Sequence, residues 1–220
     1  MSNTITLIDY GMGNLRSVAK ALEQVGGQVR LTSSPTTLRK ASKCVVPGVG
    51  AFGDAMRELK RRKLLEPLRD YLQSGRPFLG ICLGLQLLFE ESEEGENYKG
   101  LGIFKGKVIR FSSKLQAQSS KLSLKIPHIG WNQIRWKVEG GRSKEKCPLL
   151  KGIPDGSYFY FVHSYYVEPK ESNIIAATTE YGTEFTSMIW KENVFATQFH
   201  PEKSQKVGLR LLKNFVEYEN

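Results

Sequence analysis

Three short stretches, far apart in the chain, hold the residue types that acyl transfer needs. Gly80-Ile81-Cys82-Leu83-Gly84 follows an apolar run, Phe78-Leu79-Gly80-Ile81, and precedes an amphipathic pattern, so Cys82 falls on a strand-to-helix corner. Glycine two places before and after suits such a corner, because the sharp turn brings backbone too close for a Cβ on either flank. A thiol there faces the first turn of the following helix, whose partial positive charge favours thiolate over thiol. The N–H of Leu83 belongs to that unpaired first turn and is the first candidate donor to a developing oxyanion.

A thiol nucleophile needs a base. His200 closes the run Val194-Phe195-Ala196-Thr197-Gln198-Phe199 and is followed by Pro201 and Glu202. In extended backbone, residues two apart project to the same side, so Glu202 can reach the far imidazole nitrogen and set its tautomer and direction. Cys82, His200 and Glu202 thus supply nucleophile, base and orienter. Pro47-Gly48-Val49-Gly50 lies between a predicted strand over Lys43 to Val46 and a helix starting near Ala51. Its glycines leave backbone N–H groups free to turn towards an anion, which makes the amide of Val49 or Gly50 the second candidate oxyanion donor; a plain strand-to-helix turn accounts for the same letters. His128 and His163 read as structural histidines, although His163 stands at a strand end and could line the pocket. Cys44 and Cys147 read as small buried hydrophobes.

Rival chemistries fail on particular letters. Gly11-Met12-Gly13-Asn14-Leu15-Arg16 has the first two glycines of a dinucleotide fingerprint, but Arg16 occupies the third place and no acidic residue stands near the end of the second strand. His200-Pro201-Glu202 matches the H-x-E of zinc deaminases, yet no P-C-x-x-C follows. There is no H-E-x-x-H and no Walker loop. The expectation is therefore no cofactor and no metal.

The elements that must position these residues follow from the hydrophobic pattern. Short β-branched runs alternate with helical patterns up to about residue 100, the signature of βα units. Strands are expected over Thr4 to Asp9, Gln28 to Thr32, Lys43 to Val46 and Pro77 to Ile81. Asn14 caps a helix that Gly26-Gly27 stops, and further helices are expected over Pro35 to Ala41, Ala51 to Ser74 and Leu83 to Glu91. From about Gly102 strands follow strands, over Ile103 to Phe111, Asn132 to Val138, Ser157 to His163, Ile174 to Thr179, Phe185 to Lys191 and Val194 to Phe199. A helix from about Ser204 to Tyr218 closes the chain. The fold class is α/β: a mixed, mostly parallel central sheet flanked by helices, with an antiparallel extension. Ser112 to Lys125 reads as a flexible surface loop.

The 220 residues are expected to form one domain, 1–220. Three cysteines without C-x-x-C spacing argue against a disulfide framework and a structural zinc site. No window approaches 18 uncharged apolar residues and no signal-peptide pattern opens the chain, so no membrane and a cytoplasmic location are expected. The net charge of +10 invites nucleic acid as a partner. Against that, the densest basic run, Lys60-Arg61-Arg62-Lys63, shares its helical stretch with Glu58, Glu66 and Asp70 and has no aromatic ladder. It reads as a solvated face or one that meets an acidic partner, and no nucleic acid is expected.

Together, the G-x-C-x-G corner, the P-G-x-G loop and the H-P-E resemble the class I, triad-type, glutamine amidotransferases over nearly the whole chain. Asp9-Tyr10-Gly11-Met12-Gly13-Asn14, Pro127-His128-Ile129-Gly130-Trp131-Asn132 and His163-Ser164-Tyr165-Tyr166 are similar to the glutaminase subunits of imidazole glycerol phosphate synthases in particular. The P-H-x-G-W-N stretch discriminates them from other amidotransferases of the class, which usually carry G-G-P in place of P-G-V-G. The Ser/Lys-rich insert before Ile126 is longer than that pattern. The resemblance implies L-glutamine as substrate, a cysteinyl thioester on Cys82, and Gln86, Ser164 and Tyr165 as substrate-binding residues. It also implies a heterodimeric partner, a cyclase subunit with a (β/α)8 barrel, with Trp131 and Asn132 at the interface; a core position for Trp131 fits equally well. Two alternatives stay open: a related amidotransferase feeding another synthase, as in surface-sugar amidation, and a non-catalytic binding protein that keeps the corner as architecture.

Overall fold

The computed structural model describes residues 4–111, 124–137 and 147–219. The first half runs β1 (Thr4–Ile8), α1 (Leu15–Gln24), β2 (Gln28–Thr32), α2 (Pro35–Arg39), β3 (Lys43–Gly48), α3 (Phe52–Arg61), α4 (Leu65–Gln73), β4 (Phe78–Cys82) and the single turn α5 (Leu83–Gln86). The second half is strand-rich: β5 (Phe89–Ser92), β6 (Tyr98–Lys99), β7 (Phe104–Arg110), β8 (His128–Gln133), β9 (Arg135–Trp136), β10 (Tyr158–His163), β11 (Tyr165–Pro169), β12 (Ile175–Glu180), β13 (Glu184–Lys191) and β14 (Val194–Thr197). Helix α6 (Gln205–Glu217) closes it.

Twelve strands form the main sheet in the order β2-β1-β3-β4-β14-β13-β11-β7-β5-β6, with β12 and β9 branching from β13. The five strands from β2 to β14 are parallel, and from β13 outward most pairs are antiparallel. This is the mixed α/β architecture expected. Strand side chains alternate between two apolar layers, as a period of two requires. Ile5, Leu7, Val45, Leu79 and Ile81 face one layer, with Leu22 of α1 and Leu212 of α6. Ile8, Val46 and Phe78 face the other, with Leu59 of α3 and Tyr71 of α4. All five residues of β4 are buried, which is what covering a parallel sheet on both faces demands.

Several expectations need correction. The helix expected over Ala51 to Ser74 is two helices: Lys63 adopts φ 56°, and the Leu64 N–H reaches back to Leu59 O at 2.9 Å, a Schellman-type stop. The helix expected over Leu83 to Glu91 is one turn. Carbonyls that its continuation would present to itself are taken from outside: Leu101 N–H donates to Leu87 O, Ile103 N–H to Leu88 O and Gly102 N–H to Phe89 O. Strand β8 begins at His128, four residues before the strand expected from Asn132. Among the described residues it pairs with β10 alone, in a separate two-stranded antiparallel sheet with His128 opposite His163. Strand β11 was not expected; it pairs with β7 through Tyr165–Pro169. The loop expected over Ser112 to Lys125 lies outside the described residues except for its last two positions, as does the end of the strand expected to reach Val138.

Candidate active site

Topology explains how residues 150 positions apart in the chain come together. Strands β3, β4 and β14 are adjacent and parallel, with Gly48 opposite Cys82 and Thr197 opposite Ile81. The chain therefore leaves all three at the same edge of the sheet. Val49 and Gly50 emerge from β3, Cys82 from β4 and Gln198 to Glu202 from β14. The carboxyl ends of parallel strands are where open α/β sheets place their ligand crevices.

Cys82 sits at φ 56°, ψ −107°, a conformation that a side chain adopts only at a cost of about 1–3 kcal/mol. Its flanking glycines are required sterically. A Cβ on Gly84 would run into the Val46 carbonyl oxygen, and one on Gly80 would lie 2.6 Å from the Gly84 carbonyl oxygen. Because α5 is a single turn, its dipole is smaller than the expected long helix would supply.

His200 is held from both ends. Its N–H donates to Tyr160 O at 2.9 Å, and the Ser204 hydroxyl donates to its carbonyl at 2.6 Å while accepting the Tyr160 N–H at 3.0 Å. Its Nδ1 meets Glu202 Oε1 at 2.8 Å, and both side chains are almost wholly buried. Burial works against the charged imidazole, but hydrogen bonding and charge from Cys82, then from Glu202, outweigh it and raise His200 to about 10. The imidazole thus stands between a sulfur and a carboxylate, both of which favour its charged form. Among the described residues its buried Nε2 has no conventional hydrogen-bond partner. The Tyr10 hydroxyl is likewise buried and unpartnered, raised by burial and by the charge of Cys82.

The expected oxyanion donors are at the site, but one is committed. Pro47 has no N–H, which fixes the phase of the β3–β4 ladder; with Gly48 opposite Cys82, its last bond runs from the Leu83 N–H to the Gly48 carbonyl. The free Leu83 amide expected from sequence is thus a ladder donor in this conformation. Val49, which is 41% exposed, and Gly50, at φ 94°, line the cavity in front of Cys82.

That cavity has a volume of about 440 Å³ and is also lined by Leu83, Gln86, Ser164, Tyr165 and His200. Gln86 is buried, and both hydrogens of its amide nitrogen are in use: it donates to Tyr165 O at 3.0 Å and to Gln198 Oε1 at 3.1 Å. Only its oxygen is left for a ligand. The Ser164 carbonyl accepts from the Phe111 N–H at 3.0 Å. The histidines read as structural are joined, His163 Nε2 meeting His128 Nδ1 at 3.0 Å, and His163 does line the cavity. Sequence reasoning missed Glu94 and Lys203 on the cavity wall and Gln198 behind the sulfur. For Gln198 a signal existed, since it lies two residues before His200 in an extended run.

Cys44 and Cys147 are buried free thiols pushed up by burial, Cys147 to about 12, so neither is poised to react. Among the described residues no group of three or more His, Cys, Asp or Glu is placed to hold a metal ion. No helix among them is long and apolar enough to cross a membrane.

A buried thiol, imidazole and carboxylate in series beside a cavity is an arrangement for nucleophilic attack on a carbonyl. The sequence model of the family "Glutamine amidotransferase class-I" matches residues 6–218. The chain belongs to the class I glutamine amidotransferases. Within the family it is 52% identical to the "Imidazole glycerol phosphate synthase subunit HisH" of Syntrophotalea carbinolica, over 96% of this chain and 98% of that one. It is 48% identical to the protein of the same name from Geobacter metallireducens, over 97% of each. Among solved structures, "Structure of PurLQS from Thermotoga maritima" superposes with a TM-score of 0.72 at 17% identity, covering 99% of both chains, which is a likeness of fold.

Proposed function

We propose that this chain is the glutaminase subunit of an imidazole glycerol phosphate synthase. It hydrolyses L-glutamine to glutamate and ammonia and passes the ammonia to a cyclase subunit making imidazole glycerol phosphate and AICAR in histidine biosynthesis. The observation that carries the reaction is the buried series Cys82, His200, Glu202 at the cavity. The near full-length relatives named HisH favour this synthase over other acceptors of ammonia.

In this reading the Cys82 thiolate attacks the side-chain amide carbon of glutamine, and the carbonyl oxygen becomes an oxyanion. The intermediate collapses as the C–N bond breaks, and His200 gives its proton to the departing ammonia. The neutral imidazole then takes a proton from water, whose oxygen attacks the thioester; collapse releases glutamate and restores thiolate and imidazolium. Glu202 holds the imidazole so that Nε2 faces the sulfur, and its charge stabilises the imidazolium. Val49 or Gly50 supplies one oxyanion donor. Leu83 supplies the other once the Gly48 carbonyl turns away from it. Gln86 presents its oxygen, an acceptor, and so takes the α-ammonium of the substrate, with the Ser164–Tyr165 backbone beside it.

Ammonia released to bulk water at neutral pH is protonated and loses its nucleophilicity, so the activity is useful only with a partner that captures it. We take residues 1–220 as one amidotransferase domain of a cytoplasmic heterodimer, the partner being a (β/α)8-barrel cyclase. Ile129, Trp131 and Tyr158, exposed together on the β8–β10 sheet, are the docking face this reading favours; Asn132 projects from the other face, towards His128 and the Glu180 carbonyl. The net charge of +10 suits an acidic partner surface, and affinity that falls with added salt is the check on that point.

The test is Cys82→Ala. Glutamate release measured with the cyclase present is expected to fall by at least about 10³-fold. Unchanged release would end the enzymatic reading. Full release without any stimulation by the cyclase would end the choice of partner.

A further inference from the structure

A fully buried glutamine stands between Thr197 and His200, and the three-residue relay assigns it no part. Gln198 Oε1 accepts from Gln86 Nε2 at 3.1 Å, and its own Nε2 lies 3.6 Å from the Cys82 sulfur. The sense of this amide is fixed by its neighbours. Gln86 Nε2 also donates to the Tyr165 carbonyl, and that carbonyl accepts a second hydrogen bond, at 2.8 Å, from His163 Nδ1. Reversing Gln198 would set two NH₂ groups against each other in a dry interior, so its N–H is obliged to face the sulfur. A donor held in that position interacts more strongly with a thiolate than with a thiol.

We propose that Gln198 is a further residue of the reacting centre, whose Nε2–H hydrogen-bonds the Cys82 sulfur and stabilises the thiolate before glutamine binds. This rests on Cys82 being the nucleophile, but it can be measured without turnover. The other titratable groups facing the sulfur are Tyr10, from the segment after β1, and His200 with Glu202, after β14. His163 at the end of β10, with Glu94 and Lys203, borders the same cavity. All of them are unchanged in a Gln198 variant, so the difference between profiles belongs to Gln198.

The experiment is the rate of Cys82 alkylation by iodoacetamide as a function of pH, read on the Cys82 peptide by mass spectrometry. Cys82 opens onto the cavity, whereas Cys44 and Cys147 are enclosed and pushed up by burial, and each is read on its own peptide. Gln198→Leu is expected to move the midpoint up by about one pH unit, a roughly tenfold slower reaction on the acid limb. Gln198→Glu, with no N–H and an added negative charge, is expected to move it further. In the unsubstituted protein, the side-chain amide protons of Gln198 are expected to shift in the NMR spectrum with the same midpoint as alkylation. Variant profiles that superimpose on the parent, even with turnover lost, would reduce Gln198 to packing and overturn the proposal. So would an amide resonance indifferent to the titration, a measurement that does not depend on any variant folding. Failure of the nucleophile itself would show separately, as glutamate release that survives Cys82→Ala.

Discussion

Two buried histidine environments lie side by side in this molecule and are shifted in opposite directions by their surroundings. His200, raised to about 10, sits between the Cys82 sulfur and the Glu202 carboxylate. His163, lowered to about 3, and His128, lowered to about 4, are shifted first of all by burial. Their partners are neutral: the Tyr165 carbonyl at one end of the pair and the Asn132 amide at the other. His128 is further enclosed by the rings of Tyr181 and Phe161. Burial is common to both environments, so it does not decide the charge. What decides is whether the second nitrogen meets an anion or a dipole. The charge on His200 also helps keep His163 neutral, which ties the two clusters together.

The largest test of that contrast removes the anion. Glu202→Gln keeps the shape of the side chain but leaves the imidazolium without its carboxylate, so His200 is expected to titrate lower. Glutamate release with the partner present should drop by about 10²–10⁴-fold, and its pH profile should move to lower pH. A profile that stays in place would mean that Cys82 alone sets the charge of His200.

The next test uses stability. The folded pKa of His200 lies above its unfolded value, so its contribution is fully present below about pH 6.5 and is lost as pH rises towards 10. His163 and His128 have the opposite sign. Their folded pKa values lie below 6.5, so the unfolded chain takes up protons that the folded one refuses, and stability falls as pH drops from 6.5 towards 4. From pH 6.5 to pH 5.5 His128 and His163 together are expected to cost about 2 kcal/mol in urea unfolding, and His200, with the opposite sign, offsets a fraction of it. In His128→Phe, which keeps the ring stacking, that loss should shrink by about 1 kcal/mol. An equal loss in the variant would place the acid sensitivity elsewhere.

The contrast also separates what the sequence discloses from what it does not. Cys82 was legible because a steric rule acts over two residues, glycine flanks for a cramped corner; His200 and Glu202 do meet, but through the 3-10 turn Pro201–Lys203 and not through the extended backbone expected there. The parallel half of the sheet was legible because strands buried on both faces are bounded by glycine and proline. The turn at Leu83 was not. Leu83 to Phe89 is an apolar run compatible with helix or strand, and the deciding hydrogen bonds come from residues 101–103. The neutral cluster was hidden for a similar reason. His128 and His163 meet only because β8 pairs with β10 across a stretch that reads locally as a proline- and glycine-marked turn. Leu83 shows the same limit at the scale of one atom, since its amide is captured by a ladder whose phase is set by a proline 36 residues earlier.

The smallest expected effect probes the sense of the neutral cluster. The Tyr165 carbonyl can only accept, so His163 carries its proton on Nδ1 and accepts at Nε2; His128 must then donate from Nδ1 and accept at Nε2. Asn132 Nδ2 ends the sequence, 3.3 Å from His128 Nε2 and 2.9 Å from Glu180 O. Asn132→Ala removes that donor at the half-buried edge of β8, where water can replace it, and should cost about 1 kcal/mol in urea unfolding. Nitrogen NMR of the two rings should still show both protons on Nδ1, because the order is imposed from the Tyr165 end. If the variant instead moves the His128 proton to Nε2, the order is imposed from the β8 edge, and His163 loses its donor just behind the substrate cavity.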